Sequence, residues 1–131
     1  MTFRPGTLRS TPARQRIQGH AVASKEEVWV SNSLTKYGWE YIYQQPFFGG
    51  RSWSGGFVVD FIVFTVPLHT PLWVNGEYWH SSAQAERDRL NQLLLRSRVH
   101  GYAESKTLWG EDLIDQEETD KSILKMFGRN K

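Results

Sequence analysis

Hydrophobic and polar positions change period several times along the chain, and each change marks an element. Val30, Leu34 and Tyr37 recur at helical spacing after Ser24-Lys25-Glu26-Glu27. In that opening Ser24 can cap the first turn and Glu27 stands at the third helical position. Gly38 stops the run, which predicts a helix of about three turns. Residues 39–44 alternate aromatic and polar side chains, as a half-buried strand does. Residues 57–66 are almost continuous apolar β-formers, which predicts a strand buried on both faces, broken by a single carboxylate at Asp60. Between these two segments, glycines at 49, 50, 55 and 56 flank Arg51, Ser52, Trp53 and Ser54 and read as a mobile loop. A turn over 67–71 leads into Leu72-Trp73-Val74-Asn75, and three strands so spaced suit an antiparallel meander. From 82 to 100, Ala83, Leu90, Leu93 and Leu94 share one helical face, while Glu86, Arg87, Arg89, Arg96 and Arg98 fill the rest. Ser81 with Gln84 can open that helix as a capping box, and Gly101 ends it. A short strand over 102–108 is expected to pair back into the sheet, followed by an acidic helix over 115–127. The order helix, three strands, helix, strand and extra C-terminal helix makes the chain α/β.

Composition narrows the class. A chain of 131 residues fits one domain, and 39% hydrophobic with 14% aromatic residues is too apolar for disorder throughout. The longest apolar stretch is interrupted by Asp60, Thr65 and Pro67, which excludes a transmembrane helix there. The absence of cysteine excludes disulfides, thiolate zinc sites and cysteine nucleophiles, so no structural zinc is expected. The net charge of +2 hides a split: residues 1–24 carry Arg4, Arg9, Arg14 and Arg16 without one acid, and the remainder is net negative. Two units follow, a basic tail over 1–23 and a single domain over 24–131. The tail reads either as a solvated, poorly ordered terminus or as an arm that grips phosphates. A transit peptide fits less well, because Pro5 and Pro12 break any amphipathic helix.

Two positions carry candidate chemistry. A carboxylate inside an apolar strand is costly unless it is paired or binds a cation, and Asp60 is such a residue. The plain alternative is that strand twist brings Asp60 to an exposed end, hydrogen-bonded to a neighbouring loop. The segment Val74-Asn75-Gly76-Glu77-Tyr78-Trp79-His80 ends a strand with a glycine and delivers two aromatics and a histidine together. Imidazole can take a proton from water near neutral pH, so His80 is a candidate general base. His20, His69 and His100 lack such company and read as structural or surface residues.

Together these residues resemble a known family. Glu27 on the first helix, Gly49-Gly50 before a buried strand, Asp60 within it, the Val74–His80 element and Arg87-Asp88 on a helix look like the very-short-patch-repair endonucleases. Gly101-Tyr102 and Leu108-Trp109-Gly110-Glu111 continue the likeness, which covers roughly residues 24–113. The Glu–Asp–His–Asp pattern is also similar to homing endonucleases of phage introns and inteins, within the PD-(D/E)xK superfamily. The resemblance implies a restriction-endonuclease-like core and a DNA endonuclease that hydrolyses phosphodiester bonds with Mg²⁺, for which Mn²⁺ can substitute. It implies that Asp60 and the backbone carbonyl of Val74 hold the metal, few protein ligands being needed because magnesium keeps waters and takes phosphate oxygens. His80 is then the general base, and Glu27 and Asp88 orient water or the histidine, with Glu26 as the substitute for Glu27 if the helix register slips by one. Tyr78 and Trp79 would wedge into the duplex; Trp79 reads equally as core under the second helix. Asn75, Arg51, Trp53, Arg14 and Arg16 complete the expected contacts to double-stranded DNA.

The departures point within the superfamily. Its usual strand acid falls at Trp73 and its lysine at Asn75, so the two-carboxylate-plus-lysine site is absent. The repair enzymes carry histidine where Asn75 stands, cysteine where Glu77 stands, and a zinc this chain cannot build. A homing or phage-type nuclease therefore fits better than mismatch repair. A catalytically weak or inactive DNA-binding module of the same fold is the alternative, favoured by Trp73. The expected setting is the cytoplasm, at the nucleoid or in a phage's host, with neither a membrane nor an obligate protein partner.

Overall fold

In the computed structural model, residues 16–20, 24–50, 56–74 and 101–130 are described. The first helix, α1 (Lys25–Lys36), begins where the sequence sets it: Ser24 Oγ accepts from the Glu27 amide at 3.3 Å. Glu26 and Glu27 in its first turn and Lys36 in its last complement the helix dipole. Val30, Leu34 and Tyr37 are buried, as their spacing predicts. Gly38 follows at φ +85°, a conformation that halts a helix at little cost only for glycine.

Four strands form one sheet in sequence order: β1 (Tyr41–Phe47), β2 (Phe57–Val63), β3 (Thr70–Val74) and β4 (Lys106–Leu108). The first three are antiparallel neighbours, the expected meander, and β4 joins β3 in parallel, so the sheet is mixed. The second helix of the described chain, α2 (Gln116–Phe127), is capped by Asp115, whose Oδ1 accepts from the Glu118 amide at 2.8 Å. The chain is thus α/β, the described residues forming a four-stranded mixed sheet with two α-helices.

Several boundaries move for local reasons. The first strand starts at Tyr41 rather than 39, because the Trp39 amide still bonds back to Leu34 O (2.8 Å). It then runs on through Pro46, which an edge strand tolerates since its missing N–H is not needed there. The second stops at Val63 rather than 66: Thr65 turns back, its amide on Val63 O and its hydroxyl on Leu68 O. Among the described residues, pairing near the fourth strand comprises Lys106–Leu108 and one bridge between His69 and Tyr102. The helix expected over 82–100 lies outside the described residues.

Two hydrophobic clusters hold the sheet. The larger joins Val30, Leu34 and Ile123 of the helices to Tyr43, Phe61, Val63, Leu72 and Leu108 of the sheet. The smaller gathers Phe57, Val59 and Ile62 with Phe47, Phe64, Trp73 and Tyr102. Phe57 and Val59 therefore group apart from Phe61 and Val63 although all four share parity, so the alternation of the strand breaks at Asp60. The expectation of burial on both faces holds only in part, since Val58 and Asp60 are half-buried.

A polar seam joins the helices. Asp120 accepts from Ser33 Oγ (2.5 Å), Lys36 Nζ (2.9 Å) and Gln116 Nε2 (3.0 Å), and Gln116 Nε2 also donates to Trp29 O. Burial alone would push the Asp120 carboxyl up; the hydrogen bonds from Ser33, Lys36 and Gln116 and the Lys36 charge hold it below the ordinary aspartate value. The same contact raises the Lys36 ammonium above the usual lysine value.

Candidate functional site

Asp60 lies inside β2, not at its exposed end, and is half-buried. The register between β2 and β3 runs from Val63↔Thr70 to Phe61↔Leu72 and stops there. Beyond it the Val74 amide donates to Asp60 Oδ2 at 2.7 Å, so a side chain links the strands where main-chain pairing has ended. A hydrogen bond to a charged acceptor of this kind contributes about 1.5–3 kcal/mol. The residues expected to share a metal, Asp60 and the Val74 main chain, are thus neighbours.

Across the other edge of β2, Asp60 faces Gln44, the position between the Tyr43↔Phe61 and Gln45↔Val59 pairs. Gln44 has φ +59°, a left-handed conformation uncommon for a residue with a side chain, and this kink lies opposite the break in β2. Tyr43 and Gln44 connect that point to α1. The Tyr43 hydroxyl donates to Glu27 Oε1 and accepts from Gln44 Nε2 (3.3 Å). Glu27 is only 6% exposed and has no lysine, arginine or histidine ion-pair partner among the described residues. The helix register is therefore settled in favour of Glu27 as the inward acid, with Glu26 at partial exposure beside it.

The sequence gives no cue to Tyr43 beyond an aromatic at an inward strand position, since its partner Glu27 is 16 residues away. Trp73 buries its indole Nε1 with no hydrogen-bond partner among the described residues. His69 stacks on Phe64 with ring centroids 4.5 Å apart, and His20 meets Tyr43 edge-on at 6.0 Å, both structural placements. Arg16 is exposed, its Nη1 donating to Gly19 O at 3.2 Å. His80, Asp88, Tyr78, Trp79, Asn75, Arg51, Trp53, Arg14 and His100 lie outside the described residues.

Chemically, the described part offers one carboxylate beside a main-chain segment and a second carboxylate held by a phenol. Among the described residues no group of three or more His, Asp or Glu could hold a metal ion. An oxygen set of one carboxylate and one carbonyl suits a hard cation that retains most of its waters, and does not suit a caged zinc. No helix among the described residues is long and apolar enough to cross a membrane. Comparison of the chain with protein-family models, with curated proteins and with solved structures returned no match.

Proposed function

We propose that the chain is a Mg²⁺-dependent DNA endonuclease with a restriction-endonuclease-like core, of the very-short-patch-repair-like group and nearest in kind to homing or phage nucleases. The observation that carries this reading is the Asp60 carboxylate beside the Val74 main chain, at the point where two core strands part. The element order and the inward Glu27 on α1 support it. Asp60 and the Val74 carbonyl would hold the ion, which supplies polarisation of the scissile phosphate and charge neutralisation at the leaving oxygen. His80 would take the proton of the attacking water as general base. Glu27, fixed by the Tyr43 hydroxyl, and Asp88 would orient that water or the imidazole. Tyr78 and Trp79 would enter the duplex beside the cut, with Asn75, Arg51, Trp53, Arg14 and Arg16 on backbone and groove.

Supercoiled plasmid incubated with the protein and Mg²⁺, or Mn²⁺, is expected to become nicked or linear. No conversion across several DNA substrates overturns the reading.

A second reading, a DNA-binding module without turnover, is favoured by two observations: Asp60 already accepts the Val74 amide, and Trp73 fills the position of a second acid. Plasmid binding with no metal-dependent cleavage decides for it.

A further inference from the structure

The root of the basic tail is fastened to the outer edge of β1 through a side chain. Ile17 and His20 exchange two main-chain hydrogen bonds, Ile17 N to His20 O at 3.0 Å and His20 N to Ile17 O at 2.9 Å. Between them Gln18 (φ +51°) and Gly19 (φ +84°) make the doubly left-handed turn of a tight hairpin. Glycine takes this conformation freely; glutamine does so at a cost of about 1 kcal/mol. The Gln18 carboxamide accounts for where that cost is offset. Its Nε2 donates to Tyr41 O (2.6 Å) and its Oε1 accepts from the Tyr43 amide (2.8 Å). A side-chain amide thus occupies the place where the peptide unit of a further strand would bond the outer edge of β1. Ile17, 5% exposed, sinks into the larger cluster beside it.

These contacts converge on one residue. Gln18 fixes the Tyr43 amide, the His20 ring meets the Tyr43 ring edge-on, and Phe61 flanks it with centroids 5.2 Å apart. The hydroxyl end of that same ring donates to Glu27. We infer that Gln18 and His20 are positioning residues: the 16–20 hairpin is a latch that sets the Tyr43 hydroxyl on the Glu27 carboxylate. The latch itself stands on geometry alone; its effect on turnover rests on the nuclease reading above.

The test uses the full chain, labelled with ¹³C and ¹⁵N, and three probes: amide exchange at Tyr43, the Glu27 ¹³Cδ chemical shift, and plasmid nicking. Gln18→Met keeps the length of the side chain and removes both edge bonds; Tyr43→Phe gives the reference shift for a Glu27 carboxylate without its donor. Gln18→Met is expected to lower Tyr43 amide protection at least about tenfold and to move the Glu27 signal toward that reference. His20→Ala moves the Glu27 signal the same way, and His20→Phe, which retains a ring edge, restores it. In nicking, kcat falls about tenfold while KM for plasmid holds. An unmoved Glu27 signal in both Gln18→Met and His20→Ala, with Tyr43→Phe displacing it, overturns the latch. Displaced signals in a protein that never cuts DNA uphold the latch and remove the nuclease.

Discussion

Asp120 and Glu27 both meet a hydroxyl from another element, yet their surroundings differ. Asp120 receives Ser33, Gln116 and the Lys36 cation, so its charge is met on several sides. Glu27, nearly enclosed, receives the Tyr43 hydroxyl and no cation among the described residues. An acid answered by donors and an opposite charge fastens two helices; Glu27 joins a helix to a strand through one phenol. The contrast separates a carboxylate tied by several donors and a cation from one that, among the described residues, is held by a phenol.

The largest effect is expected at Asp60. Asp60→Ala should reduce plasmid cleavage to background while Val74→Ala retains most of it, because only main-chain atoms of Val74 are used. Equal loss in both, with unchanged circular dichroism, breaks the assignment. Next, Glu27→Gln keeps shape and an acceptor for Tyr43, and should slow nicking about tenfold to hundredfold. Its thermal midpoint should hold, since the shape and the Tyr43 contact are kept; a clear fall would put Glu27 in the same class as Asp120. Asp120→Asn should do the converse, costing about 1 kcal/mol in urea unfolding with nicking rates unchanged.

That last cost has a sign in pH. The folded Asp120 carboxyl lies below its ordinary value, so its stabilisation is complete above the unfolded aspartate pKa of about 4. It fades as the pH falls through the lower folded value, and the wild type and Asp120→Asn should then unfold alike. A gap that widens in acid would reverse the assignment. The smallest effect belongs to Lys36→Met: the exposed ammonium meets Asp120 chiefly through a screened surface pair, and its loss should be hardest to detect at high salt.

What the sequence reveals and what it hides divide along contact range. Ser24 is legible as a cap and Gly38 as a stop, because each acts within four residues of itself. The core positions Val30 and Leu34 follow from helical period, and Phe61 from the nearly continuous apolar run around it. Asp60 stands out as an acid in apolar company and Glu27 by its place after the Ser24 cap, and both are held by residues that periodicity cannot nominate. The donors to Asp120 from α1, the Gln18 plug and the Tyr43–Glu27 bond join residues 16 to 87 positions apart. No spacing rule encodes such pairs; they exist only once the sheet and helices have met. The strand break at Asp60 was equally hidden, since it depends on a left-handed Gln44 in a stretch that reads as regular alternation.

The corner between α1 and β1 carries a consequence for the order in which the protein is completed. Asn130 donates from its amide to Tyr37 O (2.8 Å) and from its side chain to Gly38 O (3.0 Å), and Gly128 O takes the Trp39 indole. The end of the first helix is therefore sealed by residues some 90 positions downstream. During synthesis that corner stays open until residue 130 has emerged, so the end of α1 is completed only after α2 has been made.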